Sequence, residues 1–343
     1  DIYRRKIKAS TDALKFFAFV SFFPQLVAGP IERASSLLPQ FDTFKRPKPN
    51  MFVEGLRQIL WGLFKKIVIA DQCGLIVNAI FQNQSSYSSF TLILGVILFA
   101  FQIYGDFSGY SDIAIGTARL LGFKLMRNFA YPYFSRDVAE FWRRWHISLT
   151  TWFRDYLYIP LGGSRVKSKS KVIRNVFVIF LISGFWHGAN WTFLAWGALN
   201  ALYFIPLLLA GNNRQHLDTI ASGRIWPNFR ELVQVLSTFS LICLSWVFFR
   251  SDSVEHSFSY LARIFQFNVD FFELGATNLV TLIILMPALF AMLILEWRSR
   301  LQSYPYEHGK GRKITRWVYY LSTGFAIIVF AGENADQFIY FQF

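Results

Sequence analysis

The chain has 343 residues, of which 54% are hydrophobic and 16% charged, with 39 phenylalanines and a formal net charge of +14. So apolar a chain with so few charges is not an ordinary soluble domain. The basic excess does not indicate a nucleic-acid partner, because it sits in short loops between apolar runs, where membrane topology accounts for it. Alternating polarity in about ten-residue segments, the mark of a strand barrel, is absent, which leaves helices as the spanning elements.

In chain order, the sequence opens at Asp1 with "IYRRKIK" and reads as a piece whose beginning lies elsewhere. Residues 14–29 form a short apolar run with Pro24 and Gly29, which predicts a broken or re-entrant helix. Residues 56–80 carry Lys65 and Lys66 within an apolar segment, so this helix is expected to line a polar interior or to tilt along the interface. After the apolar run 90–105 come Asp106, Ser108, Tyr110, Ser111 and Asp112, which predict a polar pocket enclosed by the bundle.

Residues 139–165, "AEFWRRWHISLTTWFRDYLYIPLGGSR", are amphipathic. Steps of 100° place Phe141, Trp142, Trp145, Leu149, Trp152, Phe153 and Tyr156 within an arc about 120° wide, opposite Arg143, Arg144, Arg154 and Asp155. A single interfacial helix ended by Pro160, Gly162 and Gly163 is predicted, with His146 at the edge of its aromatic arc.

"ISGFWHGANW", 182–191, sets His187 in a stretch without Asp, Glu, Lys or Arg between Arg174 and Arg214. From Arg174 a helix carries the chain about 20 Å before it reaches His187, inside a hydrocarbon core about 30 Å thick. A histidine there has either a structural partner or a proton-handling task.

Further apolar runs cover 232–249, 274–295 and 317–332. Two basic clusters, Arg165 to Arg174 and Arg298 to Arg316, are assigned to the cytoplasm, and the acid-bearing 250–273 loop and the tail after 332 to the outside. The first cluster, with Arg165, Lys167, Lys169 and Lys171, also suits the phosphates of coenzyme A or an acidic carrier protein. Cys73 and Cys243 are isolated, and no metal-ligand spacing, serine-hydrolase elbow or P-loop occurs, so no metal site is expected.

The segments "FFPQLVAGPIERA", "DFSGYSDIAIGTARLLGF", "FWRRWHISLTTWFRDYLYIPLGGSR", "SGFWHGANWTFLAWG" and "FIYFQF" together resemble the membrane-bound O-acyltransferase (MBOAT) family. More narrowly they resemble its bacterial branch of alginate and peptidoglycan O-acetyltransferases and teichoic acid D-alanyl transferases. The resemblance implies an all-α polytopic bundle, with interfacial and re-entrant helices around a central cavity, as one domain over 1–343 that lacks the family's N-terminal helices. It also implies a bacterial inner-membrane enzyme that hands an acyl group from a cytoplasmic thioester to an external polysaccharide. The family's invariant histidine falls on His187, and its variable His/Asn/Asp position on His146.

The thioester is already activated, so the reaction needs a base near neutral pKa and donors for an oxyanion. His187 is the expected general base. His146, or an indole N–H such as that of Trp186, is expected to orient the substrate or polarise its carbonyl, with Trp142, Trp145, Asp112 and Arg165 as further substrate-binding candidates. Acetyl-CoA or another acyl thioester is the expected co-substrate, with no bound cofactor. Membrane lipids, a polysaccharide acceptor and a secreted or periplasmic acyl-handling protein are the expected partners. The alternatives are transfer of a D-alanyl or other acyl group from a carrier-protein thioester, and a transporter in which His187 and Asp112 relay protons.

Overall fold

The computed structural model describes residues 1–343 except 27, 43–46, 165, 167, 268–273, 308–311 and 333–343. All regular structure among the described residues is helical. α1 (Ala13–Val20) stops at Ser21, and the one-turn α2 (Phe23–Leu26) contains Pro24, so the first apolar run is a broken helix. α3 (Ala34–Asp42) and α4 (Pro49–Leu63) follow, and α4 runs through a π-helical stretch, Phe64–Ala70, into α5 (Asp71–Gln82).

α6 (Ser89–Leu120) is the central element, packed against α4, α5, α11 (Phe229–Arg250) and α12 (Val254–Ile264). Ser88 caps its start by accepting the Thr91 N–H. Its 32 residues extend roughly 48 Å at 1.5 Å per residue, more than the hydrocarbon thickness, so its polar second half must be enclosed by protein. α4 approaches it backbone to backbone: a Cβ at Gly62 would lie 2.6 Å from the Gly109 carbonyl oxygen.

Charges inside this packing are paired. Lys65, 2% exposed, reaches Asp112 at 2.6 Å and Ser108 at 2.8 Å, while Lys66 reaches Asp71 at 2.7 Å and Asp106 at 2.8 Å. The expectation that Lys65 and Lys66 face a polar interior therefore holds. The two consecutive lysines both turn inward from the π-helical stretch, whose wider turn shifts side-chain register.

The remaining elements are α7 (Val138–Arg144), α8 (Ile147–Phe153), α9 (Lys169–His187), α10 (Trp191–Leu209), α13 (Ala276–Arg298) and α14 (Lys313–Phe330). Among the described residues, α6, α10, α11 and α13 are long and apolar enough to cross a membrane. Large apolar side chains such as Ile283, Phe290, Phe325 and Ile328 are exposed along α13 and α14, as suits helices facing lipid. The single amphipathic helix expected over 139–165 is instead three pieces: α7, α8 and a π-helical turn, Arg154–Tyr158. The break falls at Trp145 and His146, where tertiary hydrogen bonds override the helical periodicity.

Lys65→Met alone should lower stability by about 3–5 kcal/mol, because it strands the Asp112 carboxylate inside protein. Adding Asp112→Asn should recover most of that loss, as read by thermal unfolding in detergent.

Candidate active site

His146 stands between α7 and α8 with φ 43° and ψ 54°, a left-handed conformation uncommon for a residue with a Cβ. Asn128, fully buried, holds it there. The Asn128 carbonyl accepts the Ile147 N–H at 2.9 Å, and its side-chain Oδ1 accepts the Ser148 N–H at 3.2 Å and the Ser148 hydroxyl at 2.9 Å. The same oxygen lies 3.1 Å from His146 Nδ1, and Asn128 Nδ2 donates to Ser111 Oγ at 3.2 Å. An amide oxygen that receives a backbone N–H has only lone pairs to offer, so His146 Nδ1 carries the hydrogen. The Nε2 of the neutral ring is then an acceptor.

His187 is the last residue of α9. Gly188 turns the chain, and Asn190 caps α10 by accepting the Thr192 N–H at 3.0 Å. α9 and α10 return antiparallel with their backbones touching, because a Cβ at Gly184 or Gly197 would collide with the carbonyl of Phe193 or Phe180. Around the His187 imidazole stand Trp186 and Phe249, each with its centroid at 5.0 Å, and Trp196 at 5.4 Å and 90°.

One cavity of about 70 Å³ is lined by both histidines, with Trp142, Trp145, Ser183 and Trp196 on its walls. Among the described residues that line it there is no carboxylate or thiol. A larger cavity of about 630 Å³ adjoins it, sharing Trp142, Thr150, Ile179 and Phe180, and carries Arg143, Arg154 and Arg214. Val176, Ile179, Phe180, Ser183 and His187 recur at helical spacing, so one face of α9 lines both cavities over about 16 Å of helix. Arg143 donates to the carbonyls of Asn213 at 2.6 Å and His216 at 2.8 Å. Arg136 bonds Asp218 at 3.0 Å and holds its carboxyl below the usual carboxylate range. These arginines fasten the segment around 213–218 to α7 as the rim of the larger cavity.

Of the residues singled out by sequence, His187, His146, Trp142 and Trp145 meet at the smaller cavity. Trp186, half exposed, bridges the two imidazoles, 6.1 Å from His146 and 5.0 Å from His187. Asp112 lies apart: its carboxylate is bound by Lys65 and by Gln58 at 2.7 Å, and it lines a separate polar cavity with Tyr104 and Glu296. Arg165 and Lys167 fall outside the described residues. Asn128, Trp196 and Arg214 were not anticipated. Asn128 sits in "LMRNFAYPYF", which has no regular periodicity, and Trp196 reads as one more apolar residue of its helix.

The family model for the membrane-bound O-acyltransferases matches residues 4–249. A probable alginate O-acetylase of Pseudomonas aeruginosa is 38% identical over 285 residues, which cover 82% of this chain and 52% of that protein. A peptidoglycan O-acetyltransferase of Helicobacter pylori is 40% identical over 74% of this chain and 47% of its own length. A teichoic acid D-alanyltransferase of Streptococcus thermophilus is 32% identical over 68% of this chain and 61% of its own length. The chain thus spans about half the length of the first two relatives.

The left-handed backbone at His146 can be tested apart from its side chain. His146→Gly should be more stable than His146→Ala by about 1 kcal/mol, since only glycine adopts this conformation without a Cβ penalty. Comparison of their thermal midpoints in detergent checks this.

Proposed function

The chain belongs to the membrane-bound O-acyltransferase family, and from that premise we propose that it moves an acetyl group from cytoplasmic acetyl-CoA to hydroxyls of an extracytoplasmic polysaccharide, with His187 as general base. The observation that carries this reading is the single face of α9 that leads from a cavity bearing Arg143, Arg154 and Arg214 to a small cavity lined by both histidines. Arginines suit the phosphates of coenzyme A, and the apolar walls between suit its thioester arm.

His187 takes the proton of the acceptor hydroxyl as its oxygen attacks the thioester carbonyl. The tetrahedral oxyanion collapses, the carbon–sulfur bond breaks, and the departing thiolate recovers the proton from the imidazolium. His146 Nε2, an acceptor in the neutral ring, orients the sugar by taking the hydrogen bond of a neighbouring hydroxyl, leaving the reacting hydroxyl's proton to His187. The walls around this step are largely aromatic, so charge that forms there is screened little.

The relatives support acetyl over larger groups: the alginate and peptidoglycan O-acetyl enzymes are 38% and 40% identical to this chain, the D-alanyl enzyme 32%. The D-alanyl reading is carried by the teichoic acid relative. A proton relay between His187 and Asp112 is not favoured, because Asp112 is held by Lys65 and Gln58 on a different cavity. The four long apolar helices support a multi-pass protein of the bacterial inner membrane. A periplasmic acyl-handling protein and the polymer itself complete the proposed set of partners.

His187→Ala is expected to accumulate in the membrane at normal abundance and to lose acyl transfer by 10²- to 10⁴-fold. Quantified polymer acetylation beside a membrane immunoblot checks this, and near-full acetylation overturns the assignment. Arg154→Gln with Arg214→Gln should raise the donor KM severalfold at low salt and flatten its salt dependence. Steady-state kinetics at two ionic strengths reads both effects.

A further inference from the structure

Attack on a thioester puts negative charge on the carbonyl oxygen, and catalysis needs hydrogen-bond donors placed where that charge develops. Neutral His146 does not supply one, because its Nδ1–H is committed to Asn128. The Thr150 hydroxyl donates to the Trp145 carbonyl at 3.2 Å. Trp142 and Trp196, both on the cavity wall, are different: their Nε1 atoms are shielded from solvent and have no hydrogen-bond acceptor among the described residues. Folded proteins seldom leave buried donors unmatched, and two on the wall of one cavity point to an acceptor that arrives with the substrate.

Their placement fits that role. The two indoles stand edge to face at 5.6 Å and 79°, and Trp196 meets the His187 ring at 5.4 Å and 90°. The side chains of the general base and of both tryptophans therefore line the same small volume. An indole N–H is a donor at every physiological pH and cannot take the proton from the hydroxyl, so its role does not compete with that of the histidine. Trp246 also has a buried, unmatched Nε1, but it stacks on Trp196 at 5.9 Å and 16° and is not part of the cavity lining. It provides an internal control.

We propose that the indole N–H groups of Trp142 and Trp196 grip the acyl carbonyl of the donor and stabilise its oxyanion during transfer. The assignment rests on the acyl-CoA reading above, and deepens it by naming the donors for the carbonyl oxygen.

The test compares two unreactive probes on the full-length protein in detergent by calorimetry. One is the ketone in which a methylene replaces the thioester sulfur of acetyl-CoA, and the other is ethyl-CoA, the thioether without a carbonyl. The parent should bind the ketone about tenfold more tightly. Trp142→Phe and Trp196→Phe should each bring that ratio close to one and lower kcat about 10²-fold, with a smaller change in donor KM. Trp246→Phe should keep the ratio, as should Ser183→Ala, which removes the hydroxyl on the same wall. A ratio unchanged in both indole variants overturns the assignment, as does a ratio lost equally in Trp246→Phe or Ser183→Ala. A parent protein that binds neither probe overturns the acyl-CoA reading itself, and the assignment with it.

Discussion

The site depends on one buried amide. Asn128 Oδ1 gathers the Ser148 N–H, the Ser148 hydroxyl and His146 Nδ1–H, while its Nδ2 reaches Ser111 on α6. These bonds do three things at once. They stop α7 from continuing into α8, hold His146 in a left-handed conformation it would not choose alone, and fix which ring nitrogen carries the hydrogen. Because Ser111 belongs to the central helix, the orientation of the imidazole is referred to the most enclosed element of the bundle.

The second histidine is positioned by packing. Its hairpin can close only because Gly184 and Gly197 let two helical backbones touch, which brings Trp196 beside the His187 ring. Aromatic contacts then surround the imidazole, and Trp186 spans the gap to His146. An aromatic-walled space of this kind screens charge weakly and so strengthens electrostatic interactions.

The polar second half of α6 lines the polar cavity that its sequence predicts, and it also ties neighbouring elements together. Asp106, Ser108 and Asp112 bind Lys65 and Lys66 and so tie the π-helical stretch to α6. Paired charges of this sort cost desolvation but penalise any arrangement that separates them, so they specify how α4, α5 and α6 fit together. Ser111 links this polar interior to Asn128, and through it to the site.

The sequence by itself determined the helical class, the apolar runs that became α11, α13 and α14 and the two histidine segments, and it narrowed Lys65 and Lys66 to a polar interior or the interface. These are legible because hydrocarbon and helical periodicity act residue by residue: an apolar run, a stray charge or a lone histidine carries its cost wherever the chain goes. Only the tertiary structure decided that the 139–165 segment breaks at His146, that Asp112 belongs to an ion pair apart from the site, and that Asn128 and Trp196 belong to the cavity. Each of those outcomes depends on a partner far along the chain: Asn128 for His146, Lys65 for Asp112, and the α9–α10 contact for Trp196. Local pattern sets what a residue costs to bury, whereas the hydrogen bond or contact that meets that cost is known only when distant segments have been brought together.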